Sequence, residues 1–129
     1  MSGRWWRRYP NACTPMALSQ LFNETFEQVS ERIRAVGGRP HAVDRDVFDR
    51  LLAPHGVQQR KLFRRPRVFH SFRRRPGTWV TVVKGIGSAN GHCIALRDGH
   101  PMDNGWVRFE PGRPRYESLR VHAAWRISA

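Results

Sequence analysis

The centre of the chain contains a predicted β-hairpin with the sequence GHCIALRDGHPMDN, residues 91–104. Its first strand begins at His92, the chain turns at Asp98-Gly99, and the second strand reaches a carboxylate at Asp103. Because facing side chains of neighbouring antiparallel strands lie close together, the hairpin predicts that His92 and Asp103 are side by side. Asn104 is an alternative partner, since an amide can also orient an imidazole ring.

Three helices are predicted on the N-terminal side of this hairpin. Pro15 suits the first turn of a helix that continues to Phe22. Thr25 and Gln28 form the pattern of a capping box at the start of a second helix. Asp44 is the predicted N-cap of a third. The first half of the chain is therefore predicted to be helical.

From residue 76 onwards the pattern changes to that of β-structure. Thr78–Val83 is rich in β-branched residues and predicts a buried strand. Further strands are predicted within Gly56–Phe63, Met102–Phe109 and Tyr116–Ile127, and a short helix that begins near Val68 and carries Arg73, Arg74 and Arg75 near its end. The expected fold is α+β, a single domain of residues 1–129 with N-terminal helices packed on an antiparallel meander. Residues 1–10 form a basic and aromatic arm.

The chain is strongly basic, with 23 Lys and Arg against 10 Asp and Glu, a formal net charge of +13. No acid occurs from residue 58 to residue 84. This charge favours contact with nucleic acid or an acidic protein partner. The residues predicted to bind a polyanion are Arg64, Arg65, Arg67, Arg73, Arg74 and Arg75. No apolar run approaches the roughly 18 residues of a membrane span.

The chain's two cysteines are predicted to be free thiols in a cytoplasmic protein. A zinc site is a weak alternative, because Cys13, His92, Cys93 and His100 lack the usual ligand spacing. Phosphate-loop and dinucleotide motifs are absent from the sequence. No cofactor or metal is therefore expected.

Cys13 is a candidate nucleophile because it precedes Thr14-Pro15 at a predicted helix start. Unpaired amides and the helix dipole favour a thiolate there. His92 is the candidate general base, Asp103 its orienting acid, and Asn11 a candidate oxyanion-hole donor. Since adjacent strand residues point to opposite faces, Cys93 is expected to face away from this site into the core.

Several short motifs together resemble the papain-like cysteine peptidase superfamily, especially its small bacteriocin-processing and phage-encoded members. They are NACTPMAL at 11–18, PGTWV at 76–80, GHCIALRDG at 91–99 and Asp103-Asn104. The resemblance implies a compact papain-like domain and a thiol hydrolase acting on a protein or peptide. Larger relatives carry an oxyanion-hole glutamine before the cysteine, where this chain has Arg7, Arg8 and Tyr9.

A second interpretation comes from the charge alone. A basic domain on a peptidase-like scaffold could bind nucleic acid or an acidic protein without catalysing a reaction. Such binding would weaken steeply with salt and would not depend on Cys13.

Overall fold

A five-stranded antiparallel sheet with helices on both faces forms the computed structural model. The structure describes residues 13–40, 42–72, 74–85, 92–102 and 119–128. Its helices are α1 (Cys13–Phe22), α2 (Phe26–Ala35), α3 (Arg45–Leu52) and α4 (Phe69–Phe72), and a 3₁₀ turn spans Ala53–His55. Its strands are β1 (Val57–Val68), β2 (Thr78–Gly85), β3 (His92–Arg97), β4 (His100–Met102) and β5 (Leu119–Ile127). The predicted α+β class is confirmed.

The starts of α2 and α3 are determined by local side-chain capping. The Thr25 hydroxyl accepts a hydrogen bond from the Gln28 amide at 3.0 Å, and the Gln28 side chain accepts one from the Thr25 amide at 2.8 Å. The Asp44 carboxylate accepts the Val47 amide at 2.9 Å. Each bond satisfies a backbone donor that a helix leaves unpaired in its first turn. Both predicted caps are confirmed.

Replacing Thr25 with alanine is expected to lower the free energy of unfolding by about 1 kcal/mol, because it removes the acceptor for the Gln28 amide. Urea unfolding followed by circular dichroism measures this loss. The nearby exposed Glu27 gives a control, since Glu27→Gln leaves the cap in place. Equal stability of Thr25→Ala and the wild type would show that the cap contributes nothing.

The strand order of the sheet is β1-β5-β2-β3-β4. The last strand therefore lies between β1 and β2 and pairs antiparallel with both. The predicted simple meander is wrong in this respect, although β2, β3 and β4 do follow one another. The C-terminal strand thus joins the sheet's two halves.

The β3–β4 connection is the predicted tight turn at Asp98-Gly99. Both residues have positive φ, 49° and 85°, as the common two-residue hairpin turn requires. The Asp98 carboxylate also accepts the Gly77 amide at 3.0 Å, and the Asp98 amide donates to the Gly77 carbonyl at 3.0 Å. The turn is therefore held against the start of β2. The strand expected to follow, Met102–Phe109, lies outside the described residues beyond Met102.

The two faces of the sheet are each covered by a hydrophobic cluster. On the first face, which we call the helix face, α1, α2 and α3 pack on alternate sheet residues; the buried members from the sheet are Val80, Cys93, Ala95, Ala123, Trp125 and Ile127. On the opposite face, α4 packs on the other set, which is Trp79, Val83, Ile94, Leu96, Leu119, Val121 and Ala124. Burial on both faces makes the sheet the middle of three layers.

Edge strand β1 is longer than the predicted strand and carries an irregularity. Leu62 pairs with Ala123 and Arg67 with Val121, so four residues of β1 bulge out against a single residue of β5. Such a bulge changes the direction of side chains along an edge strand.

None of the described helices has the length and apolar character that a membrane-spanning helix needs.

Candidate active site

Cys13 is the first residue of α1, and its side chain reaches the start of β3. Its Sγ accepts a hydrogen bond from the Cys93 amide, with 3.4 Å between sulfur and nitrogen. The two residues are 80 positions apart in the chain. The structure therefore brings the predicted nucleophile to the strand that carries the predicted base.

The pairing of β2 with β3 explains why this amide is available. The Asp98 amide bonds to the Gly77 carbonyl, and along an antiparallel pair hydrogen-bonded and non-bonded positions alternate. The Gly77–Asp98 pair is hydrogen-bonded, and Val82–Cys93 is the fifth pair after it, so Val82 and Cys93 share no backbone hydrogen bond. The Cys93 amide therefore points away from β2. Strand β4 pairs with Ala95–Arg97, and no other strand of the described part of the chain lies beside Cys93 on that side. The Cys13 sulfur thus lies beside the edge of β3, near the plane of the sheet.

Cys93 faces the helices, so the prediction that it faces away from Cys13 is wrong. It is 2% exposed, and it belongs to the helix-face cluster against which Cys13 packs. The Arg97 side chain, four positions along the strand, confirms this face, because its guanidinium donates to the Leu21 carbonyl of α1 at 2.8 Å. The prediction that Cys93 is a core residue is confirmed.

His92 is the buried first residue of β3, 5% exposed. Ile94 and Leu96 pack in the cluster on the face opposite the helices, and strand alternation directs the His92 side chain to that face as well. The Cys13 sulfur lies at the edge between the two faces. Since it is 3.4 Å from the Cys93 nitrogen, it lies within about 6 Å of the His92 Cα. Strand alternation thus directs His92 and Cys93 to opposite faces of β3, and a contact between the His92 ring and the Cys13 sulfur stays a prediction.

Burial and hydrogen bonding act in opposite directions on the Cys13 thiol. Desolvation by burial raises its pKa above the ordinary 9.0, while hydrogen bonds from the Cys93 amide, the Thr14 hydroxyl and the Thr14 and Cys13 amides lower it. Burial is the larger effect, so the resting group is the neutral thiol. Burial raises the pKa of Cys93 still further, and a negative charge on Cys13 adds to this.

Alkylation distinguishes the two thiols. In the folded protein Cys13, which is half-buried, is expected to react with iodoacetamide first, and buried Cys93 only once urea unfolds the chain. Because the pKa of Cys13 is raised, its rate should still be increasing at pH 9. Peptide mapping by mass spectrometry follows both sites. Equal labelling of the two cysteines in the native protein would contradict the described burial.

Several candidate site residues lie outside the described residues. These are Asn11, Arg73, Asp103 and Asn104, so the oxyanion-hole donor and the choice between Asp103 and Asn104 stay predictions. Within the described ranges, no three His, Cys, Asp or Glu side chains converge to hold a metal ion.

The predicted polyanion-binding arginines occupy two different environments. Arg64, Arg65 and Arg67 are exposed on the outer strand β1, and Arg74 is exposed after α4. Arg75 is half-buried instead, with its guanidinium 4.8 Å from the centre of the Phe72 ring. Arg75 therefore packs on the aromatic rings of Phe72 and Trp79.

A second basic cluster was not predicted from the sequence. Lys84 and Arg120 face each other across β2 and β5, and His122 follows on β5. Desolvation lowers the pKa of His122, and the positive charges of Lys84 and Arg45 lower it further. We call Arg45, Lys84, Arg120 and His122 the helix-face basic cluster. No local pattern in the sequence indicates this cluster, because β5 pairs with β2 only through long-range topology.

Comparison of the chain with protein-family models, curated proteins and solved structures finds no match.

Proposed function

We propose that this protein is a papain-like cysteine hydrolase, a peptidase or isopeptidase with Cys13 as nucleophile. The observation that supports this most is the Cys13 sulfur against the Cys93 amide at 3.4 Å. This contact places a helix-start thiol beside the peptide bond that follows His92. Asp103 is the proposed orienting group, with Asn104 as its alternative. The proposed substrate is a protein or peptide.

The raised pKa of Cys13 indicates how such a reaction would proceed. A neutral thiol needs a base at the moment of attack, so the His92 imidazole takes the sulfur's proton as sulfur bonds to the substrate carbonyl carbon. The imidazolium then gives that proton to the departing amine as the carbon–nitrogen bond breaks. Water attacks the resulting thioester, His92 takes the water's proton, and the carboxylic acid and thiol are released.

Amide donors around the sulfur support the same proposal. The Thr14 and Cys13 amides at the start of α1 favour negative charge at Sγ, as does the Cys93 amide. Developing charge is stabilised most by dipoles that are already oriented before the reaction. Only the burial of the thiol opposes ionisation, and a base supplied by His92 overcomes it.

Hydrolysis assays with and without thiol blocking test this proposal. The protein is incubated with an aryl ester, a fluorogenic peptide library and an isopeptide, before and after treatment with iodoacetamide. Product release that iodoacetamide abolishes supports a thiol hydrolase. Release that survives blocking, or no release above buffer for any of the three substrates, contradicts it.

A second candidate function is polyanion binding by the exposed arginines of edge strand β1. The bulge between Leu62 and Arg67 carries Arg64 and Arg65, and neither forms an ion pair with any described acid. An edge strand lined with cations also discourages pairing with other strands, which gives these charges a purely structural use.

Salt-dependent binding tests this second function. A triple variant of Arg64, Arg65 and Arg67 to glutamine should weaken binding of a duplex oligonucleotide and reduce its salt slope by about three. Cys13→Ala is the matched control and should bind as the wild type does. Equal binding by the triple variant and the wild type would contradict a role for this strand.

A further inference from the structure

The chain's two cysteines, 80 positions apart in sequence, lie next to each other in the fold. The Cys13 sulfur accepts the Cys93 amide hydrogen, with 3.4 Å between sulfur and nitrogen. Since an N–Cα bond adds about 1.5 Å, that sulfur lies within about 5 Å of the Cys93 Cα. The Cys13 Cα is two bonds beyond the sulfur. This contact is therefore compatible with a disulfide, whose Cα atoms are usually about 4.4–6.8 Å apart.

Both thiols also lie on the same side of the sheet. Cys93 belongs to the helix-face core, and Cys13 packs against that core. The buried Thr14 hydroxyl hydrogen-bonds to both sulfurs, which lowers the pKa of each thiol. A negative charge on Cys13 raises the pKa of Cys93, which also indicates that the two groups are close. One hydroxyl can contact both sulfurs only when they are near neighbours.

The two thiols differ in their access to solvent. Cys13 is half-buried, whereas Cys93 is only 2% exposed. A reagent from solution therefore reaches Cys13 first, and Cys93 can react only with a group that is already attached beside it. An accessible thiol next to a protected one is the arrangement of an attacking cysteine and a resolving cysteine.

We propose that Cys13 and Cys93 form a reversible disulfide when the protein is exposed to a small-molecule disulfide such as glutathione disulfide. The Cys13 sulfur attacks one sulfur of the reagent, the reagent's sulfur–sulfur bond breaks, and one glutathione thiol leaves. The Cys93 sulfur then attacks the Cys13 sulfur of this mixed disulfide, and the second glutathione thiol leaves. The protein loses two hydrogen atoms, and the reagent gains them as it is reduced to two thiols.

The bridge would tie the start of α1 to the start of β3. Because it closes a loop of 80 positions, it restricts the unfolded chain, and the thermal midpoint is expected to rise by about 5–10 °C. Burial raises the pKa of both thiols, so bridging should be slow at neutral pH and faster as the pH rises. The bridge does not depend on the proposed hydrolase. Only one consequence does, namely that bridging removes the nucleophile and stops hydrolysis.

Equilibration in glutathione buffers tests the proposal. Wild-type protein is incubated at graded ratios of reduced to oxidised glutathione, in native buffer and in urea, then quenched in acid and mapped by mass spectrometry without reduction. A bridge that stabilises the fold is stabilised equally by the fold. We therefore expect it to resist an at least about tenfold more reducing buffer in the native protein than in urea.

Two variants identify the attacking and the resolving thiol. Cys93→Ala has no resolving thiol, so glutathione should accumulate on Cys13 as a mixed disulfide. Cys13→Ala is the matched control, and its buried Cys93 should stay a free thiol in native buffer. The comparison of native with unfolded wild type remains decisive if either variant fails to fold.

The outcomes also separate the bridge from the hydrolase. The proposal is overturned by a bridge that is no more stable in native buffer than in urea, by glutathione on Cys13 with Cys93 still free, or by disulfides between two copies of the chain. A native bridge in a protein that hydrolyses nothing when reduced would keep the bridge and reject the enzyme. Hydrolysis by a protein that forms no bridge would keep the enzyme and reject the bridge.

Discussion

Replacing Cys13 with alanine is expected to reduce hydrolysis by at least about 10⁴-fold, because Cys93, the other described thiol, is buried away from substrate. The loss should appear in kcat, since removing one sulfur atom leaves the surrounding binding surface in place. Thermal unfolding of the variant should stay close to that of the wild type. Single-turnover and steady-state assays on the same peptide measure the effect.

Cys93→Ala is the matched control for this prediction. It removes the second thiol but keeps the backbone amide that donates to the Cys13 sulfur. Activity should therefore fall by less than about tenfold, with a loss of stability from the small cavity. A Cys13→Ala protein that hydrolyses as fast as Cys93→Ala would rule out Cys13 as the nucleophile.

Replacing Trp125 with alanine is expected to lower the free energy of unfolding by about 3–5 kcal/mol. Trp125 is fully buried on β5, stacks on Phe48 of α3 with 4.9 Å between ring centres, and donates its indole N–H to Asp49 at 2.7 Å. The substitution removes both contacts and leaves a large cavity between helix and sheet. Equilibrium urea unfolding gives the change directly.

Trp125→Phe tests the same position more mildly. It keeps an aromatic ring against Phe48 and loses the bond to Asp49, which retains its ion pair with Arg60 at 2.8 Å. Its destabilisation should therefore be less than half that of the alanine variant. A loss below about 1 kcal/mol for Trp125→Ala would contradict the placement of β5 in the centre of the sheet.

The helices could be predicted from the sequence because their signals are local. The capping box at Thr25 and Gln28 and the cap at Asp44 act over three residues, so each is visible in the chain itself. The Asp98-Gly99 turn is equally local, since it needs only two residues that tolerate positive φ.

The strand order could not be predicted in the same way. Strand β5 pairs with β1 and β2 across more than 30 residues of sequence, and alternating hydrophobicity in Leu119–Ile127 does not specify a neighbour. The helix-face basic cluster was missed for the same reason. Lys84 and Arg120 become neighbours only when β5 enters the sheet beside β2.

The candidate site was predicted in part. The structure places the Cys13 sulfur against the Cys93 amide, while the predicted contact of that sulfur with the His92 ring stays a prediction. The expected catalytic role of His92 puts its side chain on the Cys13 side of β3 and therefore puts Cys93 on the opposite side. The structure has Cys93 on the Cys13 side. Side-chain alternation fixes which residues share a face, but the helices that cover a face decide which set is turned towards Cys13.

Trapping the acyl-enzyme tests the central claim most directly. Wild-type protein is mixed with an activated peptide ester, quenched in acid during turnover and mapped by mass spectrometry. The proposal predicts an acyl group attached through a thioester to Cys13, which disappears as the substrate is consumed. An acyl group found on Cys93 or on another residue, with Cys13 unmodified throughout turnover, would contradict it.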